Sequence, residues 1–134
     1  MPHLVFVYGT LKQGQRNHHH MAGGRFLGPA STRRAVYALF EYPSASAPGR
    51  IAPSVEEGGT LRIAGELYEV DDAHLARLDI LERIGVDYQR KTAELDDGRV
   101  AQIYLREPQS LRPPRPALSL TTIEQGVANW SDLA

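Results

Sequence analysis

Apolar and polar positions fall in blocks along this chain, and the blocks predict a strand-rich fold with one substantial helix. Leu4-Val5-Phe6-Val7-Tyr8 is an unbroken apolar, β-branched and aromatic run, the pattern of a strand buried on both faces. Arg16 to Gly24 is polar and reads as a loop or short helical turn, and Arg25 to Ala30 leads into a second strand over Arg34–Phe40. There Val36, Ala38 and Phe40 share one face and Tyr37 and Leu39 the other, as in a sheet rolled onto itself or covered by helices. Pro43 ends that run, because proline cannot donate into a central ladder. Ser44 to Gly59 carries Pro48, Gly49, Pro53, Gly58 and Gly59 and reads as a long connection with a short edge strand near Ile51. Thr60 to Val70 alternates, Leu61, Ile63, Gly65 and Leu67 against Ala64, Glu66, Tyr68 and Val70, which predicts a strand with a bulge or bend at Gly65.

The period then changes. Asp71 stands where an N-cap belongs, and Asp72 to Leu81 carries Leu75, Leu78 and Leu81 at helical spacing, with Gly85 as the stop. Tyr88–Leu95 and Val100–Leu105 read as strands joined by Asp96-Asp97-Gly98-Arg99, since Asp-Gly is a strong hairpin signal. Beyond Glu107, Pro108, Pro113, Pro114 and Pro116 predict a proline-rich tail, 107–134, packed on the body. Thr121 to Gly126 reads as one helical turn within it. No repeat and no linker between two cores interrupts the pattern, so 1–134 is read as one domain.

Composition narrows the possibilities. The chain has 134 residues, 42% hydrophobic and 23% charged, values of a globular chain with a real core. Its formal net charge of −1 leaves no basic footprint for nucleic acid. It has no Cys, which excludes disulfides, thiolate nucleophiles and Cys-based metal centres. No apolar run approaches the ~20 residues that span a bilayer, and no charged leader precedes the first strand. The expectation is a soluble cytoplasmic protein with neither nucleic acid nor membrane as partner.

Two stretches carry candidate chemistry. Gly9-Thr10-Leu11-Lys12 follows the first strand as a tight turn, where Gly9 permits backbone angles that a Cβ resists. Such a turn presents successive N–H groups to one anionic or carbonyl oxygen. Glu82 ends the predicted helix beside Leu78, Leu81 and Ile84, where lost hydration raises a carboxyl pKa toward neutrality and suits it to proton transfer. Asp79 is the competing carboxylate, about a hundred degrees away around the helix for each residue of shift. Tyr8 and Tyr88 offer apolar bodies with hydroxyl handles for a pocket wall. His18-His19-His20 is a poor metal site, because adjacent residues do not share a face; His18 reads instead as an anchor for the turn. His3 and His74 read as surface residues. Gly9 and Gly14 do not make a P-loop, since Gln15 and Arg16 follow in place of Lys-Ser/Thr.

Taken together these residues resemble the γ-glutamylcyclotransferase-like family, in particular its γ-glutamylamine cyclotransferase branch and small bacterial members. The resemblance rests on Val7-Tyr8-Gly9-Thr10-Leu11-Lys12-x-Gly14-x-x-Asn17-His18, then Leu27-Gly28-Pro29-Ala30, Tyr42-Pro43, Gly65-Glu66-Leu67-Tyr68-Glu69-Val70, Leu78-Asp79-x-Leu81-Glu82 and Tyr88-x-Arg90. Arg83 departs from the Gly that many relatives carry after the Glu. The resemblance implies an α+β fold, a small mixed β-barrel with flanking short helices. It implies a small-molecule γ-glutamyl substrate whose α-amine attacks its own γ-carbonyl, giving 5-oxoproline and a free amine. It makes Glu82 the general acid/base and Tyr8, Gly9, Thr10, Leu11 and Tyr88 the substrate site. It requires no metal and no organic cofactor, and it is compatible with a monomer or weak homodimer. A binding module that keeps the loop without turnover is the alternative, and a metal hydrolase built on the His run a weaker one.

Overall fold

The first apolar run forms β1 (His3–Val7), and its place in the sheet explains why it is apolar on both sides. β1 lies between β5 (Arg62–Val70), antiparallel, and β7 (Val100–Leu105), parallel. Phe6 and Tyr8 face a core shared with Leu39, Val55, Ile63, Leu67, Ile103 and Trp130. Val5 and Val7 face a second core with Leu11, Met21, Tyr68, Val70 and Tyr104, capped by Leu75 and Leu78 of the helix α1 (Asp72–Leu81). One sheet thus has a core on each face, and a central strand with no polar side is the result.

In this computed structural model the described residues are 2–43, 48–82, 88–106 and 118–132, with Pro43 described by its backbone alone. The larger sheet runs β6–β7–β1–β5–β9–β8, with β2 on the other edge of β5; β3 and β4 form a separate pair. The remaining strands are β2 (Arg25–Ser31), β3 (Tyr37–Pro43), β4 (Ile51–Glu57), β6 (Gln89–Glu94), β8 (Thr121–Glu124) and β9 (Val127–Trp130). The sheet curls into a half-barrel until its flanks meet at one end. There Thr32 bridges Leu95, Arg33 N–H donates to the carbonyl of Glu94 at 2.9 Å, and Asp96 N–H to that of Ser31 at 2.9 Å.

The helix spans the expected residues. Asp71 caps it by accepting from the N–H of His74 at 2.8 Å, a bond worth about 1 kcal/mol. Leu78 is buried, whereas Leu81 is 37% exposed and so leaves the apolar face assigned to it. The helix ends at Leu81 with Glu82 as its C-cap; Arg83, Ile84 and Gly85 lie outside the described residues.

Several expectations are corrected. Arg25–Ser31 is a strand, not an approach, and its Gly and Pro are tolerated because β2 is an edge strand with a register shift between Phe26 and Gly28. The bulge expected at Gly65 is not there, since Gly65 pairs in register with Ala30. Gly65 serves close approach instead: a Cβ there would collide with the carbonyl of Val7 and the ring of Phe6. The second strand begins at Tyr37 and runs to Pro43, and the connection after it is largely a strand as well, since Ile51–Glu57 pairs with it along its whole length. Pro53 fits because β4 pairs with a single strand, β3. Thr121–Gly126 is no helical turn. It forms β8 and a two-residue turn in which Gln125 (φ 51°) and Gly126 (φ 76°) are both left-handed, the geometry that joins twisted antiparallel strands. His74 is buried at 2% exposure, with Nε2 2.8 Å from the carbonyl oxygen of His20, and is no surface residue. His3 is half-buried and paired with Asp72.

Candidate active site

The site is built where β1 leaves the sheet. Gly9 keeps an ordinary backbone conformation, contrary to expectation; glycine is needed there because a Cβ would stand 2.5 Å from Cγ of Pro53 on β4. The turn then winds tightly, with Lys12 N–H donating to the carbonyl of Gly9 at 3.1 Å and Gly14 at φ 80°. Asn17 holds it from within, its N–H on the carbonyl of Thr10 and its Nδ2 on Thr10 Oγ1, both at 3.0 Å. His18 Nδ1 lies 3.0 Å from the carbonyl oxygen of Leu11, the anchoring role expected of it. Glu66 on β5 accepts the N–H of Gln13 at 2.8 Å.

The side chains of the loop therefore serve the fold. Leu11 is buried in the second core, and Tyr8 is buried with its hydroxyl donating to the carbonyl of Tyr104 at 2.6 Å. What remains to meet a ligand is the backbone. Lys12, Gln15 and Asn17 spend their N–H groups within the turn and Gln13 spends its own on Glu66, whereas among the described residues those of Gly9, Thr10 and Leu11 make no such turn bond.

The C-terminal hairpin clamps this loop, a connection the sequence did not signal. Lys12 Nζ donates to Asn129 Oδ1 at 3.1 Å and to the carbonyl of Trp130. Gln15 receives the N–H of Asp132 at 3.0 Å and donates to Ser131 Oγ at 3.2 Å. Burial lowers the pKa of the Lys12 ammonium, with the Glu66 carboxylate opposing that shift.

Glu82 stands at the end of α1. Its N–H closes the last helical turn on the carbonyl of Leu78 at 2.9 Å, and the residue is half-buried. The Tyr8 phenol lies within reach of its negative charge. Burial pushes that phenol well above its ordinary range, Tyr88 and then the negative charge of Glu82 push further, and Val55 and the Arg106 guanidinium oppose them. Glu82, Tyr88 and Arg106 thus all act on the charge of one buried hydroxyl. Tyr104 is raised too, first by burial, then by its hydrogen bond to Asp79 and the Asp79 charge, and then by Glu82.

Asp79, the competing carboxylate, is committed elsewhere. It accepts the hydroxyl of Tyr104 at 2.8 Å and pairs with Arg90 Nε at 2.9 Å. Tyr88 lies beside β4, with its hydroxyl 2.8 Å from Ser54 Oγ. Sequence reasoning missed Ser54, Pro53 and Val55, which β4 contributes, and Arg106, which follows β7 with its N–H on the carbonyl of Val55 at 2.9 Å. Only the pairing of β3 with β4 brings them here, and no local pattern announces it. The His run forms a 3-10 turn over His18–Met21, and no cluster of three or more metal-ligating side chains occurs among the described residues. No helix among them is long and apolar enough to cross a membrane.

Comparison with known proteins agrees with this geometry. Residues 5–127 match the family described as gamma-glutamyl cyclotransferase, AIG2-like, and the chain belongs to that family. A Vibrio cholerae relative named for gamma-glutamylcyclotransferase is 41% identical over 105 residues, 78% of this chain and 83% of its own. The Escherichia coli gamma-glutamylcyclotransferase family protein YtfP is 35% identical over 129 residues, 96% of each chain. Among solved structures, an AIG2-like protein from mouse superposes with a TM-score of 0.65 at 26% identity, covering 86% of this chain and 84% of its own.

Proposed function

We propose that the protein is a cyclotransferase that converts a γ-glutamyl amine or amide to 5-oxoproline and a free amine without a cofactor. The observation that supports this reading is the packing of Pro53 on β4 against Gly9, with Tyr88 held 2.8 Å from the neighbouring Ser54 and the Glu82 charge acting on the Tyr8 phenol. The free α-amine of the substrate attacks its own γ-carbonyl, forming the ring C–N bond. Glu82 takes the proton that the attacking nitrogen sheds and passes it to the departing nitrogen as the original amide bond breaks. The same carboxylate is then regenerated, so protons balance over the cycle.

Because nucleophile and electrophile belong to one molecule, the protein's task is to fold the glutamyl chain into its reactive conformation, worth several kcal/mol. The N–H groups of Gly9, Thr10 and Leu11 stabilise the oxygen as negative charge develops on it. Tyr8 acts as packed scaffold, its proton already spent on Tyr104, and Tyr88 forms the facing wall.

The test is a release assay across γ-glutamyl amides, including ε-(γ-glutamyl)-lysine, with 5-oxoproline as the readout. Product from at least one, undiminished by a strong chelator, is the expected result. Tight binding of 5-oxoproline with no product from any member would favour the binding module instead.

A further inference from the structure

The cavity contains a cation that the proposed chemistry does not use. Arg106 lies over the rings of Tyr42 and Tyr88, its guanidinium carbon 5.0 and 5.7 Å from their centroids. Its Nε is buried with no hydrogen-bond partner, and among the described residues its guanidinium makes no ion pair. A buried donor left unsatisfied is costly, and a guanidinium presents a planar fork suited to a carboxylate. Two aromatic faces hold that fork in place at both sides. Arg16 Nε is likewise buried without a partner, but the Arg16 guanidinium already donates through Nη1 to the carbonyl of Ile51 and lies 4.0 Å from Asp132.

We infer that Arg106, held between Tyr42 and Tyr88, receives the α-carboxylate of the γ-glutamyl substrate. This rests on the reading of the site given above. The α-carboxylate is carried by the same carbon as the attacking amine, so its counter-charge must lie on the side of the cavity where Glu82 lies. Arg106 lies beside the Gly9 turn: its N–H donates to the carbonyl of Val55 at 2.9 Å, it lies over the Tyr88 ring, whose hydroxyl is 2.8 Å from Ser54 Oγ, and the adjoining Pro53 packs against Gly9. A carboxylate on the leaving amine would lie at the far end of the substrate, beyond the γ-carbonyl.

Paired ligands that differ only in this group provide the test. Binding of 5-oxoproline and of 2-pyrrolidinone, which lacks the carboxylate, is measured by calorimetry on the full chain and on Arg106→Leu and Arg106→Lys. Wild type should prefer 5-oxoproline, and Arg106→Leu should weaken 5-oxoproline about ten- to a hundredfold while leaving 2-pyrrolidinone unchanged. Arg106→Lys should restore part of the preference, which a packing defect would not. Equal weakening of both ligands in Arg106→Leu, an intact preference, or no preference in wild type would each overturn the inference. So would a loss confined to substrates with a carboxylate on the leaving amine. If wild type releases no 5-oxoproline yet binds it through Arg106, the proposed function fails and this assignment stands.

Discussion

Two carboxylates, Glu41 and Glu82, stand in contrasting surroundings, one built into the structure and the other assigned the proposed chemistry. Glu41, on β3, is 2% exposed, and donors from the start of the C-terminal hairpin surround it. It accepts Ser119 N–H at 2.9 Å, Ser119 Oγ at 3.1 Å, Leu120 N–H at 2.9 Å and Thr121 Oγ1 at 2.6 Å. Burial pushes its pKa up, but these bonds outweigh burial and hold it below its ordinary value. Such a carboxylate stays ionised and ties one element to another. Glu82 sits at a helix end, and the two phenols in its field direct their protons to the carbonyl of Tyr104 and to Asp79. Donors make Glu41 a fastener; the phenols near Glu82 spend their protons elsewhere, as the proton-transfer role proposed for it requires.

Four substitutions sharpen this contrast. Glu82→Gln should reduce 5-oxoproline release by about 10²–10⁴-fold with an unchanged melting temperature. Turnover that survives would remove Glu82 from its role. Gly9→Ala should come next, because the new Cβ must displace Pro53 and the loop with it. A loss of about 10²-fold in kcat is expected from a misplaced loop, together with about 1–3 kcal/mol of stability.

Glu41→Gln should do the reverse of Glu82→Gln, lowering stability by about 2 kcal/mol in chemical denaturation while folded molecules keep their turnover. Its pH dependence has a definite sign. The folded pKa is depressed, so the stabilisation is fully present above the unfolded value of about 4.3 and is lost as pH falls through the lower folded value. The stability gap between wild type and Glu41→Gln should therefore close in acid, and a gap that widens would contradict the assignment. Asp79→Asn should have the smallest effect, about 1 kcal/mol of stability with wild-type turnover, because its partners Tyr104 and Arg90 serve the fold.

How much of this was legible in sequence depended on whether the cause was local. β1, the Asp71 cap, the α1 span and the Asp97-Gly98 hairpin follow from short-range patterns, and all are observed. The Gly9 turn was found for a reason that proved wrong, since its glycine answers to Pro53, a residue 44 positions away in sequence. β2, β4 and the β8–β9 hairpin were missed or misread because Gly28, Pro29, Pro53 and Gln125-Gly126 obscure their periodicity. Edge positions tolerate such residues, and edge status is a property of the whole sheet. The Glu41 anchor, the clamp on Lys12 and Gln15, and Arg106 depend on the same long-range pairings. Asp79 could be separated from Glu82 only once Tyr104 and Arg90 were seen beside it.

The most direct measurement is a crystal structure of the full chain with 5-oxoproline bound. The account predicts the ring nitrogen within about 3 Å of a Glu82 carboxyl oxygen. It places the ring carbonyl at a similar distance from the N–H groups of Gly9 to Leu11. A ligand seated away from β1's exit, or a Glu82 side chain turned from the ring, would contradict it.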